Sequence, residues 1–174
     1  MLQMQIKKLN EYFFQITDVF DLSFLHQVKQ NIDSISLGQT LYDGHGVVRT
    51  QLPWPVFDVP QIEPIQTVVE QHIGKVYPNG LMMWKDAPGY CNDLHKDHSV
   101  NLSANVQVYV GHGISEGTSC YINDTWYTVP YKYNTGYIMI SPTDYLHGMK
   151  QPSQETRYSL YQSFRKTPEE VNDW

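Results

Sequence analysis

GYIMISPTDYLHGMKQPSQETRYSLY, residues 136–161, holds a strand, a histidine, a tight return and a second strand. Gly136-Tyr137-Ile138-Met139-Ile140 is an apolar run of strand-favouring residues, and Ser141-Pro142 breaks it. Tyr145-Leu146-His147-Gly148 follows, with a glycine that lets the backbone turn sharply just past the imidazole. Met149 to Ser153 then returns the chain to Thr156-Arg157-Tyr158-Ser159-Leu160-Tyr161. On that strand Arg157, Ser159 and Tyr161 share a face, because side chains two apart point the same way.

Outward from this stretch the pattern repeats. Strands are predicted near 80–86, 94–99, 103–111, 118–123, 125–130, 136–141, 144–149 and 156–164, with Asn123-Asp124 as a tight hairpin turn. About eight short antiparallel strands with regular turn signals suit a mainly β, two-sheet jelly roll, the cupin-like double-stranded β-helix. Residues 2–16 show mixed alternation and predict a strand or two. Asp21 caps a predicted helix at about 22–34, with Leu22, Leu25, Val28, Lys29 and Ile32 at helical spacing. A second helix is predicted at about 62–73: Pro64 lies in its first turn, Ile65, Val68, Val69, His72 and Ile73 form a stripe, and Gly74 stops it. These two helices are expected to cover one outer sheet face. Between them, residues 38–60 read as a long loop rich in Gly, Pro and aromatics; loops of this length in a compact domain are usually functional or disordered, and the aromatic load argues against disorder. Tyr42, Arg49 and Trp54 are therefore candidates for a substrate lid over the barrel mouth, the alternative being a packed loop that shields helix ends. The expected organisation is one domain: a support region over 1–75, a jelly-roll core over 76–165 and a tail over 166–174.

Composition narrows the partners. The chain has 174 residues, 41% of them apolar, enough to bury a full core. A net charge of −6 without a basic run provides no electrostatic footprint for nucleic acid or an acidic membrane surface. No stretch approaches 18 apolar residues, and Met1 to Lys8 lacks the apolar segment of a signal peptide, so the expected location is cytoplasmic. Cys91 and Cys120 are too few for a disulfide framework and read as small hydrophobes in a reducing compartment.

The chemistry lies in His95-Lys96-Asp97, His147 and Arg157-Tyr158-Ser159. Two neutral imidazoles and one carboxylate are the donor set that suits non-haem Fe(II) in oxygenases, because they leave half an octahedron for exchangeable ligands. In an extended strand His95 and Asp97 reach one ion while Lys96 points away. Arg157, ten positions past His147, with Ser159 offers a clamp for a carboxylate co-substrate, since a guanidinium binds carboxylates bidentately and keeps its charge. A lone His-x-Asp arises by chance roughly 0.4 times in such a chain; requiring the later His, Arg and Ser lowers that to about one in a hundred. The constellation as a whole therefore carries the argument.

These residues resemble the Fe(II)- and 2-oxoglutarate-dependent dioxygenases, and within them the small prolyl-hydroxylase-like branch. The likeness covers roughly residues 80–165 and includes the approach Trp84-Lys-Asp-Ala-Pro88-Gly89-Tyr90 and the strand Val106 to Gly111. It implies iron held by His95, Asp97 and His147. It also implies 2-oxoglutarate chelating that iron, its distal carboxylate held by Arg157, Ser159 and Tyr109, the last placed there by the resemblance alone. The implied reaction consumes dioxygen, decarboxylates the keto acid to succinate and carbon dioxide, and hydroxylates a C–H bond, with a peptidyl proline or other amino-acid-like group as substrate. Asp97 argues against the halogenating members, which lack that carboxylate. The nucleic-acid-repair branch has a second arginine where this chain has Ser163, with Arg165 two positions late, so base demethylation is disfavoured. Trp84 stands where the branch usually has tyrosine and carries no co-substrate role.

Other readings compete at each position. His95 and Asp97 alone would pass as a polar loop pair, His147 as a core histidine and Arg157 as half of a structural ion pair. His98 is a rival ligand that strand alternation points away from Asp97. His26, His45, His72 and His112 read as structural or surface residues. Two alternatives stand at the level of the whole chain: a jelly-roll hydrolase or isomerase using zinc or manganese, which has no need of the Arg-x-Ser anchor, and a noncatalytic jelly roll that binds a sugar or peptide.

Overall fold

Asp21 ends the first hairpin and starts the first helix, its Oδ1 accepting the Phe24 amide at 2.8 Å. The computed structural model describes residues 4–34, 39–42, 48–52, 62–98 and 101–168. In chain order the elements are β1 (Gln5–Asn10), β2 (Phe13–Thr17), α1 (Leu22–Ser34), β3 (Gln39–Tyr42), β4 (Val48–Leu52) and α2 (Ile62–Ile73). They continue with β5 (Tyr77–Asp86), β6 (Leu102–Tyr109), β7 (Thr118–Ile122), β8 (Thr125–Val129), β9 (Thr135–Ile140), β10 (Leu146–Gly148) and β11 (Arg157–Arg165). Both helices lie where periodicity placed them, and Gly74 leaves α2 at a φ of 78°, a left-handed exit that glycine adopts without steric cost.

One sheet has eight strands in the order β1-β2-β9-β6-β11-β5-β4-β3, and the other three in the order β10-β7-β8. From β5 onward the chain winds between them. β5, β6, β9 and β11 belong to the large sheet; β7, β8 and β10 belong to the small one, which a single antiparallel bridge between His95 and His147 extends. This is the winding of a double-stranded β-helix. Asn123 and Asp124, both at positive φ (49° and 60°), make the two-residue turn between β7 and β8, the geometry that matches strand twist.

Alternation on the large sheet separates two interiors. Val106 and Val108 of β6, Ile138 and Ile140 of β9, and Leu160 and Phe164 of β11 face outward and bury Phe24, Leu25 and Val28 of α1 with Ile65 and Val69 of α2. Apart from its cap, α1 has no acidic residue in its first turn and no basic residue in its last. Docking therefore holds it, each such buried side chain contributing about 1.5–3 kcal/mol. The opposite face turns Phe13, Tyr109, Tyr137 and Met139 toward Cys120, Ile122 and Val129 of the small sheet.

Two expectations differ in detail. Over its described residues 94–98, the strand expected at 94–99 is reduced to the single bridge at His95: residues 92–98 contain no Val, Ile, Thr, Phe, Tyr or Trp, and the Asp97 amide turns to the Pro142 carbonyl at 3.2 Å. The long loop expected at 38–60 contains the β3–β4 hairpin, which extends the large sheet beyond β5. Trp54 and the Tyr42 side chain, two of the three lid candidates, lie outside the described residues. Among the described residues no helix is long and apolar enough to cross a membrane.

Candidate metal centre

The main chain holds the two imidazoles together. His95 and His147 exchange both backbone hydrogen bonds, each at 2.8 Å, so their side chains leave adjacent positions on one face. Gly148 makes this approach possible. Its φ is 145°, and a Cβ there would stand 2.6 Å from the Asn92 carbonyl oxygen, so only glycine lets the Asn92 segment lie against β10.

Each imidazole is held in one tautomer. His95 Nδ1 lies 2.6 Å from the Asp93 carbonyl oxygen and His147 Nδ1 lies 3.0 Å from that of Tyr145. A carbonyl only accepts, so both Nδ1 atoms donate, leaving both Nε2 lone pairs for a ligand. Those Nε2 atoms stand 3.4 Å and 3.6 Å from Asp97 Oδ1, and the three donors fall within 4.8 Å of one another. Donors about 2.1 Å from a common ion at right angles stand roughly 3 Å apart, so a small inward movement seats a divalent ion. Asp97 Oδ2 accepts from Asn105 Nδ2 at 3.1 Å, which orients the carboxylate. A hydrogen bond from the protonated His95 ring to Asp97, more than burial opposes it, raises the His95 pKa. Burial pushes the Asp97 carboxyl up, but hydrogen bonds from His147 and His95 outweigh it and leave it well below the usual carboxylate range.

The three donors open into a cavity of about 330 Å³. Its open side carries His95, the exposed His98 and the partly exposed Trp84, and its closed end carries Arg157, Thr118 and Tyr137, all buried. Arg157 is 2% exposed. Its register neighbour on β5 is Asp86, whose neighbour on β4 is Arg49. Asp86 spends both oxygens on Arg49, at 2.7 Å to Nε and 3.1 Å to Nη2. Arg157 is left with the ring of Tyr131 at 4.9 Å, the ring of Tyr109 at 5.4 Å and a contact from Nη1 to Met149 Sδ, while its Nε has no partner. Among the described residues no carboxylate lies within ion-pair distance of it. A buried guanidinium without an anion is costly, so this end of the cavity is built for an anionic ligand.

Of the residues singled out from sequence, His95, Asp97, His147 and Arg157 meet in this one cavity. Ser159 and Tyr109 lie behind its lining. Ser159 Oγ accepts from Gln107 Nε2 at 2.7 Å, and the Tyr109 hydroxyl donates to Thr118 Oγ1 at 2.8 Å while accepting the Thr118 amide at 2.9 Å. Thr118, Gln107 and Tyr137 line the cavity in their place, with the Tyr137 hydroxyl donating to Gln107 Oε1 at 3.0 Å. Sequence reading passed over them, although Asn105, Gln107 and Tyr109 at every second position of an apolar strand are a legible polar face. Arg49 lines the cavity, bound to Asp86 and stacked on Trp84 and Tyr90. His98 lines it but stands apart from the donor triad. Neither Cys91 nor Cys120 is in a disulfide, and burial pushes the Cys120 thiol up to about 12.

No protein-family model and no curated protein matches the sequence. Solved structures do match in shape. A prolyl-4-hydroxylase from Pseudomonas putida superposes with a TM-score of 0.65 at 11% identity, over 89% of this chain and 92% of that one. A prolyl hydroxylase from Trichoplax adhaerens, solved with a hypoxia inducible factor peptide, gives 0.67 at 13% identity over 90% and 84%. HygX from Streptomyces hygroscopicus, with nickel, 2-oxoglutarate and hygromycin B bound, gives 0.63 at 14% identity over 89% and 83%. The chain has the jelly-roll fold of these oxygenases.

Proposed function

We propose that the chain is an Fe(II)- and 2-oxoglutarate-dependent dioxygenase that hydroxylates a C–H bond of a peptidyl proline or other amino-acid-like substrate. The observation that carries this reading is the buried, anion-free guanidinium of Arg157 at the closed end of the cavity that His95, Asp97 and His147 line. A metal hydrolase or isomerase needs the triad but has no use for such an anchor.

In this reading His95, Asp97 and His147 hold Fe(II), their single carboxylate and neutral imidazoles leaving the ion a residual positive charge that favours a dianionic ligand. Arg157 binds the distal carboxylate of 2-oxoglutarate, with the Thr118 and Tyr137 hydroxyls beside it. Ser159 and Tyr109 act one step back: Ser159 fixes Gln107, and Tyr109 fixes Thr118 and supports the guanidinium from below. Held by these residues, the metal and keto acid would supply oxidative decarboxylation to succinate and carbon dioxide, with dioxygen as oxidant giving one oxygen atom to succinate and the other to the hydroxylated substrate. Asn105 keeps Asp97 in its ligating orientation, and the two carbonyls that accept from Nδ1–H fix the neutral tautomer in which Nε2 carries the lone pair. The open side, walled by Met82, Trp84, Leu102 and Tyr161, receives the substrate. Two of the matching structures being prolyl hydroxylases, one with a peptide in place, supports an amino-acid-like group there.

The test is succinate release from 2-oxoglutarate with Fe(II) and oxygen, screened against prolyl peptides and free amino acids. Stimulated release with a mass gain of one oxygen on the added substrate is expected. Protein that binds the metal and produces no succinate with or without substrate rejects the reading.

A further inference from the structure

We infer that Arg49 is a positioning residue for capture of the anionic co-substrate: by engaging both oxygens of Asp86 it keeps that carboxylate off Arg157 and leaves the Arg157 guanidinium open to the ligand. The inference rests on the oxygenase reading of the site and adds a residue that acts through Asp86 on Arg157.

Three facts carry it. Asp86 lies between two arginines in one row of the large sheet, in register with Arg49 on β4 and with Arg157 on β11. Side chains directly opposite across an antiparallel pair start about 4.5–5.5 Å apart, so Asp86 has either guanidinium within reach. The Asp86 side chain is 1% exposed and cannot turn to water, so it must take one of the two. The structure shows the choice made. Arg49 presents Nε and Nη2 as a fork and is held in place by the faces of Trp84, 4.9 Å away, and Tyr90, 4.6 Å away. The other acid near Arg157, Glu155, is occupied by the amides of Ile114 and Ser115 at 3.0 Å and 2.8 Å. Arg49 and Asp86 cancel, and Arg157 keeps an unspent charge.

Removing Arg49 changes the partner. A buried carboxylate that loses its fork turns to the guanidinium on its other side, and the incoming keto acid must then displace it. Titration calorimetry of 2-oxoglutarate into Mn(II)-loaded protein, where the redox-inert ion prevents turnover, reads this directly. Arg49→Ala is expected to weaken 2-oxoglutarate about tenfold or more while changing Mn(II) affinity less than about twofold. Arg49→Ala combined with Asp86→Asn removes the competing charge and is expected to return 2-oxoglutarate to within about threefold of wild type. Asp86→Asn alone, which also keeps the inference testable if Arg49→Ala does not fold, is expected to bind at least as tightly as wild type. Unchanged affinity in Arg49→Ala, no recovery in the double variant, or a tenfold loss in Asp86→Asn overturns the inference and leaves the oxygenase reading standing. Wild-type protein that binds Mn(II) and gives no heat with 2-oxoglutarate removes the reading and the inference together.

Discussion

At the scale of single residues, the centre is set by who donates to whom. Two backbone carbonyls accept hydrogen bonds from Nδ1–H of His95 and His147, and Asn105 steadies Asp97, so all three ligand atoms face one point before any ion arrives. This arrangement gives opposite pH trends to the metal-free and metal-loaded protein. The His95 pKa is raised above 6.5, chiefly by the Asp97 hydrogen bond, so the stability it lends is complete below 6.5 and is lost as pH rises through the raised value. Asp97, lowered from 3.8, contributes above that value and loses its contribution only on acidification through the lower one. Metal binding needs both imidazoles neutral, so its affinity grows over the range in which the metal-free protein weakens. Thermal midpoints between about pH 6 and pH 8.5 should therefore fall slightly without metal, since His95 is partly solvated, and rise with Mn(II). Parallel trends in the two series would contradict this.

The elements show why part of the design was readable and part was not. Helices α1 and α2 were legible because Leu25, Val28, Ile65 and Val69 repeat at helical spacing between Asp21 and Gly74, two unambiguous stop and start signals. β9 was legible as an apolar run, β6 and β11 from strand-favouring residues alternating with polar ones, and the Asn123-Asp124 hairpin from its turn chemistry. The segment at His95 was not, because one bridge and a loop of polar residues leave no period to read; what aligns its ligands is the partner β10. The β3–β4 hairpin was hidden by short strands inside a glycine-rich stretch. Likewise, Ser159 and Tyr109 were readable as facing inward but not as lying one layer behind Thr118 and Gln107, since depth depends on the opposite sheet. Gly148 tests this level. Gly148→Ala forces a Cβ against the Asn92 carbonyl at a φ of 145°, and is expected to cost about 1–3 kcal/mol in denaturant unfolding. It should also lower metal affinity by displacing His95 from His147. A variant with wild-type stability and wild-type metal binding would show that the close approach is unimportant.

At the scale of the whole molecule, the large sheet does two jobs with alternate residues. Its outer face binds both helices, and its inner face carries Asn105, Gln107, Arg157 and Tyr161 toward the cavity, so the site is built on the best-packed element. His95 and His147 join the small sheet while Asp97 and Asn105 reach across from the connection and the large one. An ion that binds the three donors therefore ties the small sheet to the connecting segment and, through the Asp97–Asn105 hydrogen bond, to the large sheet. Saturating metal at 100 times its dissociation constant is expected to stabilise the fold by about 2.7 kcal/mol, an effect read as a rise in unfolding midpoint that His147→Ala abolishes. An equal rise in His147→Ala would place the ion elsewhere.

The central claim is that one cavity holds a metal at His95, Asp97 and His147 and a dicarboxylate at Arg157. Anaerobic visible difference spectroscopy of Fe(II)-loaded protein titrated with 2-oxoglutarate tests it most directly. A weak charge-transfer band that saturates in the wild type is predicted, with Arg157→Ala needing far more keto acid to reach it while binding Fe(II) as before. A flat difference spectrum at millimolar 2-oxoglutarate, or an Arg157→Ala titration that overlays the wild type, would contradict it.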